Sequence, residues 1–239
     1  MVSARDITKR YGAVQALSDA RIDLNAGEIV ALMGDNGAGK STLVKILSGA
    51  VQADQGTIEV AGRPARISRP NDARSLGITT VFQDLALAEN LDVVANLYLG
   101  TEIRRRSVLD EVAMERSALD LLASLGVRIR DLRAPVAALS GGQRQSVAIA
   151  RALLGDPRVV ILDEPTAALG VEQTAQVLAL VKRLRDRGLA VVLVSHNLSD
   201  VRAVSDRVVV LRRGRNAGEF VTADSTQDAI VASITGADQ

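Results

Sequence analysis

The sequence predicts an α/β fold in which a buried parallel sheet is covered by helices and a helical lobe is inserted between its strands. Three features of the chain point to it. Runs of Val, Ile, Leu and Ala at Ile29–Met33, Val159–Leu162 and Ala190–Val194 each end at a polar or glycine residue, and runs of this length and character read as strands buried on both faces. Hydrophobic residues make up 47% of the 239, yet the chain has only two Phe, two Tyr and no Trp, so the core is aliphatic. Between Ala88 and Gly155 the pattern changes to helical spacing, as in Leu109, Val112, Leu119, Leu122, Ala123 and Leu125 with charges interleaved. A chain of this length buries roughly 70–75% of its unfolded surface. We therefore expect one domain, with residues 1–87 and 156–239 forming the core and 88–155 the lobe.

Further strands are expected at Thr57–Val60, Ile78–Phe82 and Arg207–Leu211, the last closed by a turn at Gly214. Ligands of open α/β sheets sit beyond the carboxyl ends of the strands, so the ends of the three central runs should converge on one site. The run Arg104-Arg105-Arg106 reads either as a phosphate or lipid contact or as a solvated loop or helix start. Acidic residues following at Asp110 and Glu111 favour the solvated reading.

Composition narrows the partners. Lys and Arg number 29 against 28 acidic residues, which argues against wrapping nucleic acid or adhering to an anionic membrane by charge alone. The absence of Cys removes disulfide scaffolds and thiolate metal sites and fits a reducing compartment. No apolar run has the length of a signal peptide or approaches the roughly 18 residues of a membrane span, so the expectation is a soluble, cytoplasmic chain.

Two glycine-rich loops then supply chemistry. In Gly34-Asp35-Asn36-Gly37-Ala38-Gly39-Lys40-Ser41-Thr42 the glycines let successive backbone N–H groups turn inward, and the following helix adds its positive end, making a phosphate cradle. Lys40 is placed for the β- and γ-phosphates and the Ser41 hydroxyl for Mg²⁺. The strand Val159–Leu162 delivers Asp163 and Glu164 to the same edge. Two such carboxylates suit a metal ligand, Asp163, and a residue that orients an attacking water, Glu164; by themselves they would better fit a pair facing solvent, and the phosphate loop decides for the site. His196, the single histidine of the chain, follows the third apolar run at that edge and is expected to touch the γ-phosphate. Gln83, after Ile78–Phe82, is expected to reach Mg²⁺ or the attacking water. The second loop, Leu139-Ser140-Gly141-Gly142-Gln143, opens a helical stretch over Arg144–Leu154 and forms another anion site.

The set and order of these motifs resembles the ATP-binding subunit of ABC transporters over nearly the whole chain. Tyr11 resembles the aromatic that stacks on adenine, Gly34–Thr42 the phosphate loop, Gln83 the Q-loop and Leu139–Gln143 the signature sequence. Val159–Glu164 resembles the Walker B strand with its catalytic Glu, and His196 the switch histidine. The resemblance implies a P-loop NTPase (RecA-like) core with a small antiparallel β part and an inserted α-helical subdomain. It also implies ATP and Mg²⁺ as cofactors and a homodimer in which Ser140, Gly141, Gly142 and Gln143 of one chain complete the nucleotide site of the other. Transmembrane permease subunits and, indirectly, a substrate-binding protein would be the partners, at the cytoplasmic face of the cell membrane; nucleic acid would not.

Finer similarity, through Gly34–Lys40, Phe82–Leu87, Glu89–Leu91, Asn96–Gly100 and Pro165–Leu169, points to the monosaccharide-importer branch. Two departures stand out. Many importers of that branch fuse two cassettes, whereas one is present here, and Gly170 stands where many ABC proteins carry an Asp that bridges the dimer. Little sequence beyond the core implies that an appended regulatory domain is absent. The competing readings are an exporter subunit, which shares the ATP chemistry, and a soluble ABC-type machine, for which coiled-coil or basic insertions are expected and not seen. A GTPase is disfavoured because no Asn-Lys-x-Asp motif is present.

Overall fold

A computed structural model describes residues 1–237. In chain order the first half comprises β1 (Val2–Tyr11), β2 (Val14–Leu24), β3 (Ile29–Met33), α1 (Lys40–Leu47), β4 (Gln55–Val60), β5 (Arg63–Ala65), α2 (Pro70–Ser75), β6 (Ile78–Val81) and α3 (Val93–Tyr98). A small hairpin, β7 (Arg104–Arg105) and β8 (Val108–Leu109), precedes α4 (Glu111–Ser124) and α5 (Gly141–Leu153). The remainder is β9 (Val159–Asp163), α6 (Val171–Asp186), β10 (Ala190–Val194), α7 (Leu198–Val204), β11 (Arg207–Arg212), β12 (Arg215–Val221) and α8 (Gln227–Thr235).

The central sheet has the order β12-β11-β3-β10-β9-β6. Its members pair in parallel except for β11 with β12, which form an antiparallel hairpin at one edge. The three apolar runs are β3, β9 and β10, adjacent at the centre, where covering on both faces explains why they show no polar alternation. Each fully buried Val, Leu or Ile there contributes roughly 1.5–3 kcal/mol relative to exposure.

Alternate residues of the sheet enter different cores. Val30, Leu32, Val159, Ile161, Val192 and Val194 join Leu43, Val44, Ile46 and Leu47 of α1 and the inner faces of β1, β2 and β4. Ile29, Val160, Leu162, Val191 and Leu193 point the other way, into a core shared with α3, α4, α5 and α6. Ala31, Met33, Val208 and Val210 meet Val201 and Ile230 in a smaller cluster under α7 and α8.

The antiparallel part, in order β2-β1-β4-β5, agrees with what the resemblance implied. Apart from β4 its strands escape a reading of apolar pattern. Asp6 and Asp19 sit at φ 55° and 54°, and register shifts interrupt the β1–β2 ladder, so the alternation of period two is broken. The α4 periodicity is also differently used. Its buried face is Met114, Ala118 and Leu122, whereas Val112 and Leu119 are exposed. Arg104–Arg106 is an exposed hairpin turning at Arg106 and Ser107, both at positive φ. The solvated reading of that run is the one observed, and the helix starts later, at Glu111 after an Asp110 cap.

Candidate nucleotide site

The parallel register sets the site. Leu32, Val194 and Asp163 lie in one row across β3, β10 and β9, and Val81 of β6 pairs with Leu162 one step earlier. The residues that follow, Gly34, Ser195-His196, Glu164 and Phe82-Gln83, therefore leave the sheet along one edge.

The loop from Gly34 to Lys40 starts with a buried glycine at φ 144°, where a Cβ would stand 2.1 Å from the Leu211 carbonyl oxygen. Gly34 is thus required by the close approach of β11. Gly37, also at positive φ, has nothing within 4 Å of an added Cβ, so the space beside it belongs to no protein atom. Asp35, Asn36 and Gly37 are exposed and Ala38 is buried. Gly39 caps α1 with no side-chain hydrogen bond, leaving the first amides of the helix directed at the loop. Lys40 Nζ donates to the carbonyl oxygens of Gly34 at 2.6 Å and Asp35 at 3.0 Å. Burial holds its ammonium below the usual lysine range, opposed by the charges of Glu164, Asp35 and Asp163. Ser41 is exposed and Thr42 half-buried on the first turn of α1.

Burial, reinforced by the neighbouring Glu164 charge, pushes the Asp163 carboxyl above the usual aspartate range, while Lys40 and Lys45 pull it down. A carboxylate in that state gains from a cation. Ser41, Asp163 and Gln83 each carry a side-chain oxygen, the donor type a Mg²⁺ ion takes when most of its shell is water and phosphate. Glu164 stands at φ 51°, its N–H donating to the Val194 carbonyl at 3.0 Å. His196 Nδ1 lies 2.9 Å from Glu164 Oε2, the imidazole 74% exposed and the carboxylate side chain 16%. The pair is thus anchored on its acid and open on its histidine. Behind it, Thr166 Oγ1 donates to Asp200 Oδ2 at 2.7 Å, tying the turn after Glu164 to the helix after His196. Sequence reasoning missed this bond, because neither residue belongs to a recognisable spacing.

The second loop is built as a cap. Ser140 Oγ accepts from Gln143 N at 3.3 Å, and Gln143 Oε1 accepts from Ser140 N at 3.0 Å, a capping box that opens α5. The atoms nearest to added Cβ atoms at Gly141 and Gly142 are those of Leu169 and Gln173, not of the phosphate loop. Gly142 is buried against Gln173, so packing of α5 on α6 by itself favours a glycine there. Ser140 is exposed.

Tyr11 is 46% exposed at the end of β1, with Lys9 Nζ 5.6 Å from its ring centroid and that ammonium held by Asp54 at 2.7 Å. Gln83 is exposed, and among the described residues its side chain has no hydrogen-bond partner. Beside it a cleft of about 550 Å³ opens between β6, α3 and α5, lined by Phe82, Leu99 and Arg151 among others. Two hydroxyls on its wall, Thr80 and Tyr98, are buried without a partner. Gly170 caps α6 in ordinary extended backbone, φ −71° and ψ 166°, with open space around it.

The chain is similar to known proteins along most of its length. Residues 17–167 match the family model described as ABC transporter. The chain is 46% identical to the fructose import ATP-binding protein FrcA of Rhizobium meliloti, covering 99% of this chain and 94% of that one. It is 45% identical to the xylose/arabinose import ATP-binding protein XylG of Sulfolobus acidocaldarius, covering 90% and 86%. With the ribose import ATP-binding protein RbsA 1 of Rubrobacter xylanophilus it shares 46% identity, but spans only 47% of that relative's length. Among solved structures, the ADP conformation of the cassette MJ1267 superposes with a TM-score of 0.85 at 25% identity, covering 98% of this chain and 94% of that one. A dimeric cassette, MJ0796 bound to ADP and Pi, gives 0.77 at 27%, covering 93% and 99%.

Proposed function

This chain belongs to the ABC transporter family of ATP-binding proteins, and on that premise we propose that it is the ATP-hydrolysing subunit of a monosaccharide importer. The observation that carries the chemistry is the convergence on one sheet edge of the phosphate loop, the Asp163-Glu164 pair and His196 bonded to Glu164. The similarity to fructose and xylose/arabinose import proteins along most of their length supports the sugar class.

In this reading the amides of residues 37–42 and Lys40 bind the β- and γ-phosphates, and Lys40 exchanges its bonds to the Gly34 and Asp35 carbonyls for bonds to phosphate oxygens. Tyr11 offers the exposed part of its ring to adenine. Ser41, Asp163 and Gln83 would hold Mg²⁺, which when bound supplies charge neutralisation at the β- and γ-oxygens. Glu164 orients the attacking water and accepts its proton, and His196 fixes that carboxylate while keeping an exposed edge toward the γ-phosphate. Because the atoms nearest the glycines of the second loop are those of Leu169 and Gln173 and not of the phosphate loop, a second copy would be the source of the nucleotide that Ser140 and the first amides of α5 touch. The dimeric cassette found among similar structures supports that arrangement.

Coupling to transport needs a partner in the membrane, since among the described residues no helix is long and apolar enough to cross one. We assign the permease to the cleft beside Gln83, where exposed Phe82 and Leu99 offer apolar contacts. That puts the chain on the cytoplasmic face of the membrane as a peripheral subunit. Reconstitution with its co-purifying permease in liposomes tests the whole reading. Monosaccharides presented with their binding protein should raise ATP hydrolysis, and a chain that forms no permease complex would refute it.

A further inference from the structure

Arg151 lies near the C-terminal end of α5, eleven residues after the Ser140 cap at its start. Its guanidinium crosses to the segment after β6, donating to the Ala86 carbonyl at 2.8 Å and the Leu85 carbonyl at 2.9 Å. It has no carboxylate partner among the described residues. Burial, with Arg74 nearby, holds it below the usual arginine range. A cation kept half-buried with only backbone acceptors is unfavourable in isolation, so its position calls for a function.

Leu85 and Leu87 of the segment it holds pack against the lobe core, but few hydrogen bonds fix its backbone. β6 is the edge strand of the sheet, and no strand lies beyond it to receive Phe82 or Gln83. Among the described residues, the hydrogen bonds that tie residues 82–87 to other elements are those from Arg151; the remaining one, Ala86 N to Asp84 Oδ1, is local. Ala86 also stands at φ 47°, a conformation unfavourable to a residue with a Cβ. A turn of this kind persists only when something outside it holds it.

We propose that Arg151 is a positioning residue that fixes the turn carrying Gln83, so that α5 mechanically joins the Ser140 loop at one end to Gln83 at the other. The proposal rests on the reading of Gln83 as a contact of the nucleotide site. In that reading a partner seated in the cleft, which Arg151 also lines, bears on the Gln83 turn and on α5 at once.

The test uses the full chain with Gln83→Ala, Arg151→Met, Arg151→Lys and the Gln83→Ala/Arg151→Met pair. Readouts are kcat and KM for MgATP and backbone hydrogen exchange. Arg151→Met should lower kcat by about the same factor as Gln83→Ala, on the order of tenfold, with the double variant no lower than either single one. Exchange of amides 84–88 should quicken at least about tenfold while those of the α5 interior keep their rates. Arg151→Lys, which retains charge and one bond, should recover part of both effects, and it stands in for Arg151→Met should that variant not fold. Losses that multiply in the double variant, or unchanged exchange at 84–88, would overturn the proposal and leave the Gln83 reading intact. Wild-type turnover by Gln83→Ala would remove that reading and the proposal with it.

Discussion

Gly34 and Gly37 belong to one loop, yet the structure predicts that replacing them with alanine damages different things. At Gly34 the new methyl would stand 2.1 Å from the Leu211 carbonyl oxygen at φ 144°, so backbone or β11 must move by more than about 1 Å. Overpacking of this kind costs about 1–3 kcal/mol and the backbone strain a similar amount. At roughly 2–4 °C per kcal/mol for a chain near this size, the melting temperature falls on the order of 10 °C. At Gly37 the methyl meets nothing, and the cost is that of a left-handed alanine, about 1–2 kcal/mol or roughly 2–8 °C.

The gain from ligand ranks the two the other way, because the Gly37 methyl would enter the space proposed for phosphates. At a hundred times its Kd, ATP stabilises the native chain by about 2.7 kcal/mol; if Kd weakens a hundredfold, only about 0.4 kcal/mol remains. Thermal melts of the three proteins with and without MgATP separate the two losses. Gly37→Ala should lose less than Gly34→Ala without nucleotide and gain little from it, whereas Gly34→Ala should melt lowest from the outset and keep its nucleotide shift. A Gly37→Ala chain with the full nucleotide shift, or one melting as low as Gly34→Ala, would refute the division.

Glu164→Gln should keep ATP affinity and lower kcat by about 10²–10⁴, accumulating as an ATP-bound dimer in size-exclusion chromatography; normal turnover would remove Glu164 from its assigned role. Asp163→Asn should raise the melting temperature of the nucleotide-free chain at neutral pH. Since the folded state raises the Asp163 pKa, the ionised group costs stability above that value, and the cost disappears as pH falls below the unfolded carboxylate range near about 4. The advantage of Asn should therefore shrink in acid, and a melting temperature lowered at neutral pH contradicts the sign. Gly170→Asp has room and suitable backbone, so a capping carboxylate at the start of α6 should add about 0.5–1 kcal/mol; a drop in melting temperature would show that this position tolerates only glycine.

What was legible in the chain follows from where strong local signals lie. The central strands are bounded apolar runs, and the residues at their ends are the site residues, so β3, β9 and β10 fall where the pattern puts them. The antiparallel strands carry polar outer faces and bulges at Asp6 and Asp19, and no period survives in them. Helix α4 misleads for another reason: small Ala118 and flexible Met114 join Leu122 on the buried face while Val112 and Leu119 face solvent. Thr166–Asp200 and Arg151 with its two carbonyls are long-range pairings of ordinary residues, and only the folded chain brings them together.

The alternation of side chains along the sheet has a further implication, for how such a chain diversifies. Val159 and Ile161 lie in the core beneath the phosphate loop, while their neighbours Val160 and Leu162 lie in the core of the lobe that carries the cleft. Repacking the lobe side changes residues that lie outside the α1 core. The sheet is in this sense a bulkhead: the side that carries the cleft can vary in sequence without disturbing the packing beneath the phosphate loop.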